Sequence, residues 1–240
     1  MSPPARLVCL PYAGGSADAY RSWSAHLPDG CELLAPELPG HGRRLPEEPL
    51  DSAAAIVTDL LPRIGDPATP LVLFGHSMGA LLAYELCRAL CERGTPPWAL
   101  VVSALGPPDV LRGDAKLASD PDALLNHIAR LGATPPDVLA NPQMRALLLR
   151  PLQADFRLLG NATNRPARTV TVPLHALAGD RDPVHPAAEV AQWQRHAARW
   201  QGLQVLPGGH FFPWRDETVP RLLAGLTEAA AGRDAAAGTR

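Results

Sequence analysis

An α/β architecture, with a mostly parallel central sheet flanked by helices and carrying a helical lid, is predicted by three features of this sequence. Short apolar runs alternate with helical patterns along almost the whole chain, the rhythm of strand–helix–strand units. One of those runs, Leu71-Val72-Leu73-Phe74, is apolar at every position, as befits a strand covered on both faces. The rhythm then breaks once, between Leu105 and about Ala167, where helical patterns occur without a convincing strand.

The first strand is Leu7-Val8-Cys9-Leu10, ended by Pro11 and the pair Gly14-Gly15. A helix is expected from about Ala19 to His26, then a second strand, Glu32-Leu33-Leu34-Ala35, closed by Pro36 and the turn-rich Pro39-Gly40-His41-Gly42. Ser52 is a good N-cap for a helix reaching about Ile64. After the strand at Leu71–Phe74 comes a helix from Met78 to about Arg93, stopped by Gly94 and Pro96, and then the strand Ala99-Leu100-Val101-Val102. The interrupting stretch, about 105–167, shows helical patterns around Asp122–Leu131 and Met144–Leu159 and is expected to form the lid. Leu174–Ala178 and Leu203–Leu206 are the last two strands, with a helix around Ala187–Trp200 between them. A final helix is expected over Thr218–Ala230, and the small, polar residues 231–240 are expected to fray.

At 240 residues, 46% hydrophobic and 19% charged, the chain has the composition of one soluble globular domain spanning 1–240. A net charge of −2 gives no reason to expect nucleic acid or an anionic membrane as partner. No apolar run approaches the ~18 residues of a membrane span, and the N-terminus lacks the apolar stretch of a secretory signal. A cytoplasmic location follows. Cys9, Cys31, Cys87 and Cys91 read as reduced thiols, because no Cys/His cluster completes a metal site around Cys87 and Cys91.

The chemistry concentrates at Gly75-His76-Ser77-Met78-Gly79. A serine on a sharp turn between a buried strand and a helix exposes its hydroxyl, and glycines two residues to either side permit the packing that such a turn needs. A serine hydroxyl is a weak nucleophile and needs a base. Among the eight histidines, His26, His127 and His196 fall on expected helices and read as surface residues, and His41 lies in a turn. His76 precedes the nucleophile, with its side chain expected to pack against neighbouring loops, and His175 is inside a strand. His185 and His210 remain. His210, in Gly208-Gly209-His210-Phe211-Phe212, directly follows the last strand, at the edge where open α/β sheets place their sites, and is preferred. The acid that orients it is sought in Gly179-Asp180-Arg181-Asp182-Pro183. Asp182 lies far enough out to reach a neighbouring loop; Asp180 and, after an earlier strand, Asp109 compete with it. The order serine, aspartate, histidine is that of the α/β-hydrolase fold. Two backbone amides would hold the oxyanion: that of Met78, after the nucleophile, and that of Ala13 in Pro11-Tyr12-Ala13-Gly14-Gly15.

With these segments placed, the sequence resembles the type II thioesterases that accompany polyketide synthases and nonribosomal peptide synthetases, from about Leu7 to Ala230. Leu10–Ser16, Pro39–Arg43, Gly75–Gly79, Gly179–Pro183 and Gly208–Phe212 carry the resemblance together. Pro213 departs from it, standing where an apolar residue is more usual. The resemblance implies Ser77, Asp182 and His210 as a catalytic triad. It implies hydrolysis of acyl groups from the phosphopantetheine arm of an acyl or peptidyl carrier protein, which removes aberrant or stalled units. It also implies a discrete enzyme that meets its carrier protein transiently. Hydrolysis through a serine, histidine and aspartate requires neither metal nor organic cofactor, and a fold that needs no partner to bury its core is expected to be a monomer. The residues alone give a serine hydrolase acting on small acyl compounds, with Leu105, Leu111, Leu124, Leu131 and Met144 as candidate acyl-pocket residues. A medium-chain fatty acyl thioesterase, a general carboxylesterase, an acyltransferase and a non-catalytic binding protein of the same fold are the competing readings.

Overall fold

A computed structural model describes residues 4–66, 68–112, 117–132, 134, 136–163, 166 and 168–237. Its strands are β1 (Arg6–Leu10), β2 (Glu32–Leu34), β3 (Leu71–His76), β4 (Ala99–Ser103), β5 (Val170–Gly179) and β6 (Ala197–Leu206). They form one sheet in the order β2-β1-β3-β4-β5-β6, and every pairing is parallel. The chain steps from β1 outward to β2 and then returns to β3 on the other side of β1. Strand order therefore reverses at β1 and β3, and the crevice beyond their carboxyl ends is where such sheets bind ligands.

The α-helices are α1 (Ala53–Leu60), α2 (Met78–Glu92), α3 (Pro121–Leu131), α4 (Pro136–Ala140), α5 (Pro142–Asn161), α6 (Ala187–Val190) and α7 (Thr218–Ala237). The apolar strands β1, β3 and β4 are buried along their whole lengths, because helices cover both faces. One core layer joins α1 and α2 to Val8, Leu73 and Leu100. The opposite layer joins α7 and the 3₁₀ segment Ala17–His26 to Leu7, Val72 and Val101.

Helices α3, α4 and α5 fall within the stretch 105–167 expected to form a lid, and no strand is present among its described residues. Two of these helices begin for reasons legible in the sequence. The Asp120 carboxylate accepts from the amides of Asp122 and Ala123 (3.1 and 3.0 Å), and the Asn141 side chain from those of Gln143 and Met144 (2.9 and 3.2 Å). Each cap is followed by proline at the first helical position, where its missing N–H costs nothing. Such caps are worth about 1 kcal/mol each.

Several boundaries differ from the expectation. The helix expected over Ala187–Trp200 is only α6 and a 3₁₀ segment ending at His196, and Ala197–Trp200 belong to β6. Pairing with β5 from Val170↔Ala197 onward engages the backbone groups that face β5, and this tertiary contact overrides the helical propensity of Ala197 and Ala198. Ser52 precedes α1, but its hydroxyl makes no capping bond. The last helix continues past Ala230 to Ala237. No helix among the described residues is long and apolar enough to cross a membrane.

Candidate active site

Ser77 ends β3 and starts α2 with φ 54° and ψ −123°, a conformation that costs a non-glycine residue ~1–3 kcal/mol. The surroundings hold it there. The Ser77 amide donates to the Ser103 carbonyl at the end of β4 (2.8 Å), and the Ser77 carbonyl accepts from the Ala80 amide (2.8 Å). A Cβ on Gly75 would overlap the Gly79 carbonyl oxygen, and one on Gly79 would overlap the Leu10 carbonyl oxygen. Both glycines of the motif are thus required sterically: α2 starts pressed against the ends of β1 and β3. The Met78 amide, in the first turn of α2, has no intrahelical partner and is available to an anion.

His210 and Asp182 approach from the loops after β6 and β5. The His210 Nδ1–H donates to Asp182 Oδ2 at 2.8 Å, both side chains being buried. The other oxygen, Oδ1, accepts from the amides of Val184 (2.9 Å) and His185 (3.2 Å). Burial alone raises the pKa of Asp182, but His210 and the two amides outweigh it and hold the carboxyl below its usual value. With a proton fixed on Nδ1, the Nε2 lone pair is free to accept, and His210 and Ser77 line the same cavity.

The competing acids have other partners. Asp180 accepts from the Gly208 amide (2.6 Å) and Arg181 (3.3 Å), so it shapes the turn that carries His210. Asp109 accepts from His196 Nε2 (2.8 Å) and pairs with Arg195 (2.8 Å). His196 is therefore fully buried, not a surface residue, because the segment around it docks as a strand entry. His127 is half-buried in α3 and lines the cavity. His185 lines it too, with Nδ1 2.8 Å from Glu189 Oε1. His76 packs beside the site as expected, with Nδ1 3.0 Å from Ser103 Oγ and its ring edge-on to Tyr12 and Trp214. Complete burial pushes its pKa well below the usual value and keeps it neutral.

The loop after β1 forms the facing wall. Tyr12, Ala13 and Gly14 line the cavity, and the Gly15 amide donates back to the Tyr12 carbonyl (2.8 Å), closing a tight turn. Gly14 takes φ +73°, a left-handed conformation suited to glycine. Its amide donates to Asp155 Oδ2 of α5 at 2.7 Å. Asp155 also receives His41 Nε2 at 2.9 Å. Neither role was foreseeable: His41 reads as a turn residue and Asp155 as one polar position among many in a helical pattern.

The cavity holds about 340 Å³. Leu105, Leu111 and Leu131 line it, together with Ile128, Leu152 and Phe156 from the lid. Leu124 instead fills the lid's own small core beside Ile128 and Leu152, and Met144 points outward, 40% exposed. All four cysteines are free, with Cys9 and Cys87 buried. Among the described residues no group of His, Cys, Asp and Glu is arranged to hold a metal ion.

A family model described as Thioesterase domain matches residues 5–228. The chain belongs to the thioesterase family. This thioesterase is 36% identical over 214 residues to Thioesterase PikA5 of Streptomyces venezuelae, covering 86% of this chain and 75% of that one. The solved structure of RedJ, a thioesterase from the prodiginine biosynthetic pathway in Streptomyces coelicolor, superposes with a TM-score of 0.80 at 34% identity, over 94% of this chain and 85% of that one. BorB, described as the type II thioesterase from the borrelidin biosynthetic cluster, superposes with a TM-score of 0.82 at 31% identity, over 95% and 92% of the two chains. The thioesterase has the α/β-hydrolase fold, and its chemistry is that of a serine hydrolase.

Proposed function

We propose that this enzyme is an editing thioesterase that hydrolyses acyl groups from the phosphopantetheine arm of acyl or peptidyl carrier proteins, clearing aberrant or stalled units during polyketide or nonribosomal peptide biosynthesis. Its likeness along nearly the whole chain to type II thioesterases of such pathways carries this reading. The site supports it with a strained serine, a histidine oriented by a buried carboxylate, and an apolar cavity beside both.

Ser77 is the nucleophile, His210 the base and Asp182 the acid that orients it. His210 takes the Ser77 proton as the hydroxyl oxygen attacks the thioester carbonyl. The Met78 and Ala13 amides hold the resulting oxyanion, each such donor being worth on the order of 3 kcal/mol. Collapse expels the thiolate, which takes the proton from His210 and leaves an acyl-Ser77 ester. Water, deprotonated by the same histidine, then releases the acid and restores the serine. No step draws on a metal or an organic cofactor. The carrier protein is met transiently, in the cytoplasm, by a monomer.

Turnover of an acylated carrier protein beside that of a p-nitrophenyl ester of the same acid tests the proposal. A kcat/KM at least tenfold higher on the carrier protein supports it. Preference for the simple ester would point to a general carboxylesterase.

A further inference from the structure

Asp155 lies in the middle of α5, on the lid, yet it is 1% exposed and contacts the body of the enzyme at two places. Its Oδ2 accepts both the Gly14 amide (2.7 Å) and His41 Nε2 (2.9 Å). His41 Nδ1 lies 3.0 Å from the Pro39 carbonyl. A carbonyl can only accept, so Nδ1 carries hydrogen. The Gly14 amide can only donate, so Oδ2 must offer a lone pair. One proton lies between Nε2 and Oδ2, and because Asp155 raises the His41 pKa against the effect of burial it is assigned to the imidazole, so that a buried ion pair joins three segments far apart in sequence. Among the described residues, the Asp155 Oδ1 atom has no hydrogen-bond partner.

Stability does not explain such an arrangement. Burying a charged pair costs several kcal/mol of hydration per ion, and an apolar replacement of similar volume is commonly neutral or stabilising. What the pair does hold is the peptide between Ala13 and Gly14. The far side of this loop is packed by Tyr12 against Phe211 and Trp214, with ring centroids 4.8 and 5.3 Å away. Its near side is gripped by Asp155 and by Leu152, whose Cδ2 would stand 2.6 Å from a Cβ at Gly14. Pro151 lies inside α5 one turn before Asp155 and, having no N–H, cannot donate to the Leu147 carbonyl.

We propose that Asp155, braced by His41, is a positioning residue: it fixes the Gly14 amide and so aims the neighbouring Ala13 amide at the oxyanion, making the base of the lid part of the catalytic geometry. The inference rests on the reading of Ala13 as an oxyanion donor. A donor displaced by a fraction of an ångström stabilises the transition state less while leaving the ground state almost untouched. The loss therefore falls on kcat.

Asp155→Asn tests this with little change in volume. The amide must either point N–H groups at the Gly14 amide or leave them buried without a partner. Turnover of p-nitrophenyl butyrate and inhibition by butylboronic acid, which forms a tetrahedral adduct on the serine, are measured together. The expected result is a kcat lowered about 10- to 100-fold, a boronate Ki weakened by the same factor, and a KM within threefold of the parent. Asp51→Asn, which removes an exposed contact from the lid to the body (Arg157 to Asp51, 3.1 Å), is expected to leave all three unchanged. A folded Asp155→Asn variant with kcat and Ki within twofold of the parent, or with its loss confined to KM, overturns the proposal. Should that variant not fold, His41→Asn removes the brace from the other side, and the same split is required of it. Because the reporter is a simple ester, failure on carrier-protein substrates would strike the proposed function and leave this test intact.

Discussion

The amide plane of Gly79 and the last carbonyl of β1 are so close that a Cβ at Gly79 would overlap the Leu10 oxygen. The same is true of Gly75 against the Gly79 carbonyl. These two contacts force α2 to leave β3 through the tight elbow that puts Ser77 at φ 54°.

Gly79→Ala is accordingly expected to be the more damaging of two alanine substitutions in α2, compared with Gly79 at the elbow and Cys91 at the half-exposed end. Relieving the overlap requires α2 to shift from β1, so activity should fall by at least 100-fold or the protein should fail to fold. Cys91→Ala should keep activity and melting temperature near the parent values. Ester turnover and thermal melts on the two variants check this.

Asp182→Asn is expected to reduce kcat by ~10⁴-fold, because an amide favours the wrong tautomer of the histidine it faces. Asp180→Asn and Asp109→Asn should each lose far less. Asp180 holds the Gly208 turn and Asp109 holds His196, so any effect of theirs should appear mainly in thermal stability. Steady-state kinetics on the three variants rank them, and a different order would move the acid elsewhere.

The acyl pocket offers a separation between lining and support. Leu131→Trp fills space in a cavity of about 340 Å³ and should raise KM for octanoyl esters at least tenfold while changing acetyl esters little. Leu124→Ala, inside the lid core, should destabilise by ~2–5 kcal/mol, as buried leucine truncations do, without that chain-length signature. A substrate panel with denaturant unfolding distinguishes the two.

Much of this was legible in the sequence because period and punctuation are local. The six strand-like runs fall within or overlap β1–β6, and the helical patterns around Asp122–Leu131 and Met144–Leu159 fall on α3 and α5. Gly75 and Gly79 are readable because their steric role is fixed by their spacing. What escaped reading depends on contacts between distant segments. His196 and Asp109 are 87 positions apart, and His41 and Asp155 are 114 apart; neither partner betrays the other through spacing. The Ala197–Trp200 strand was missed because edge pairing with β5, and no local pattern, makes it a strand.

The His41–Asp155 pair also sets a pH dependence. Burial lowers the pKa of His41, but the Asp155 hydrogen bond and charge, the Pro39 carbonyl and the more distant Glu37 together raise it above the usual histidine value. A raised folded-state pKa contributes stability that is fully present below the unfolded value of about 6.5 and is lost as pH rises through the folded value. The His41–Asp155 contribution to the melting temperature of the parent should therefore decline as pH rises from about 6.5 through the folded value. His41→Asn should show a flatter profile there, and parallel profiles would show that the pair is not ionised as argued.

The central claim is that Ser77 releases acyl groups from a carrier protein. Intact-protein mass spectrometry of a propionylated carrier protein, incubated with the parent enzyme and with Ser77→Ala, tests it most directly. Loss of the acyl mass with the parent alone is the expected result. An acyl group that survives the parent enzyme, or one that Ser77→Ala removes equally fast, would contradict it.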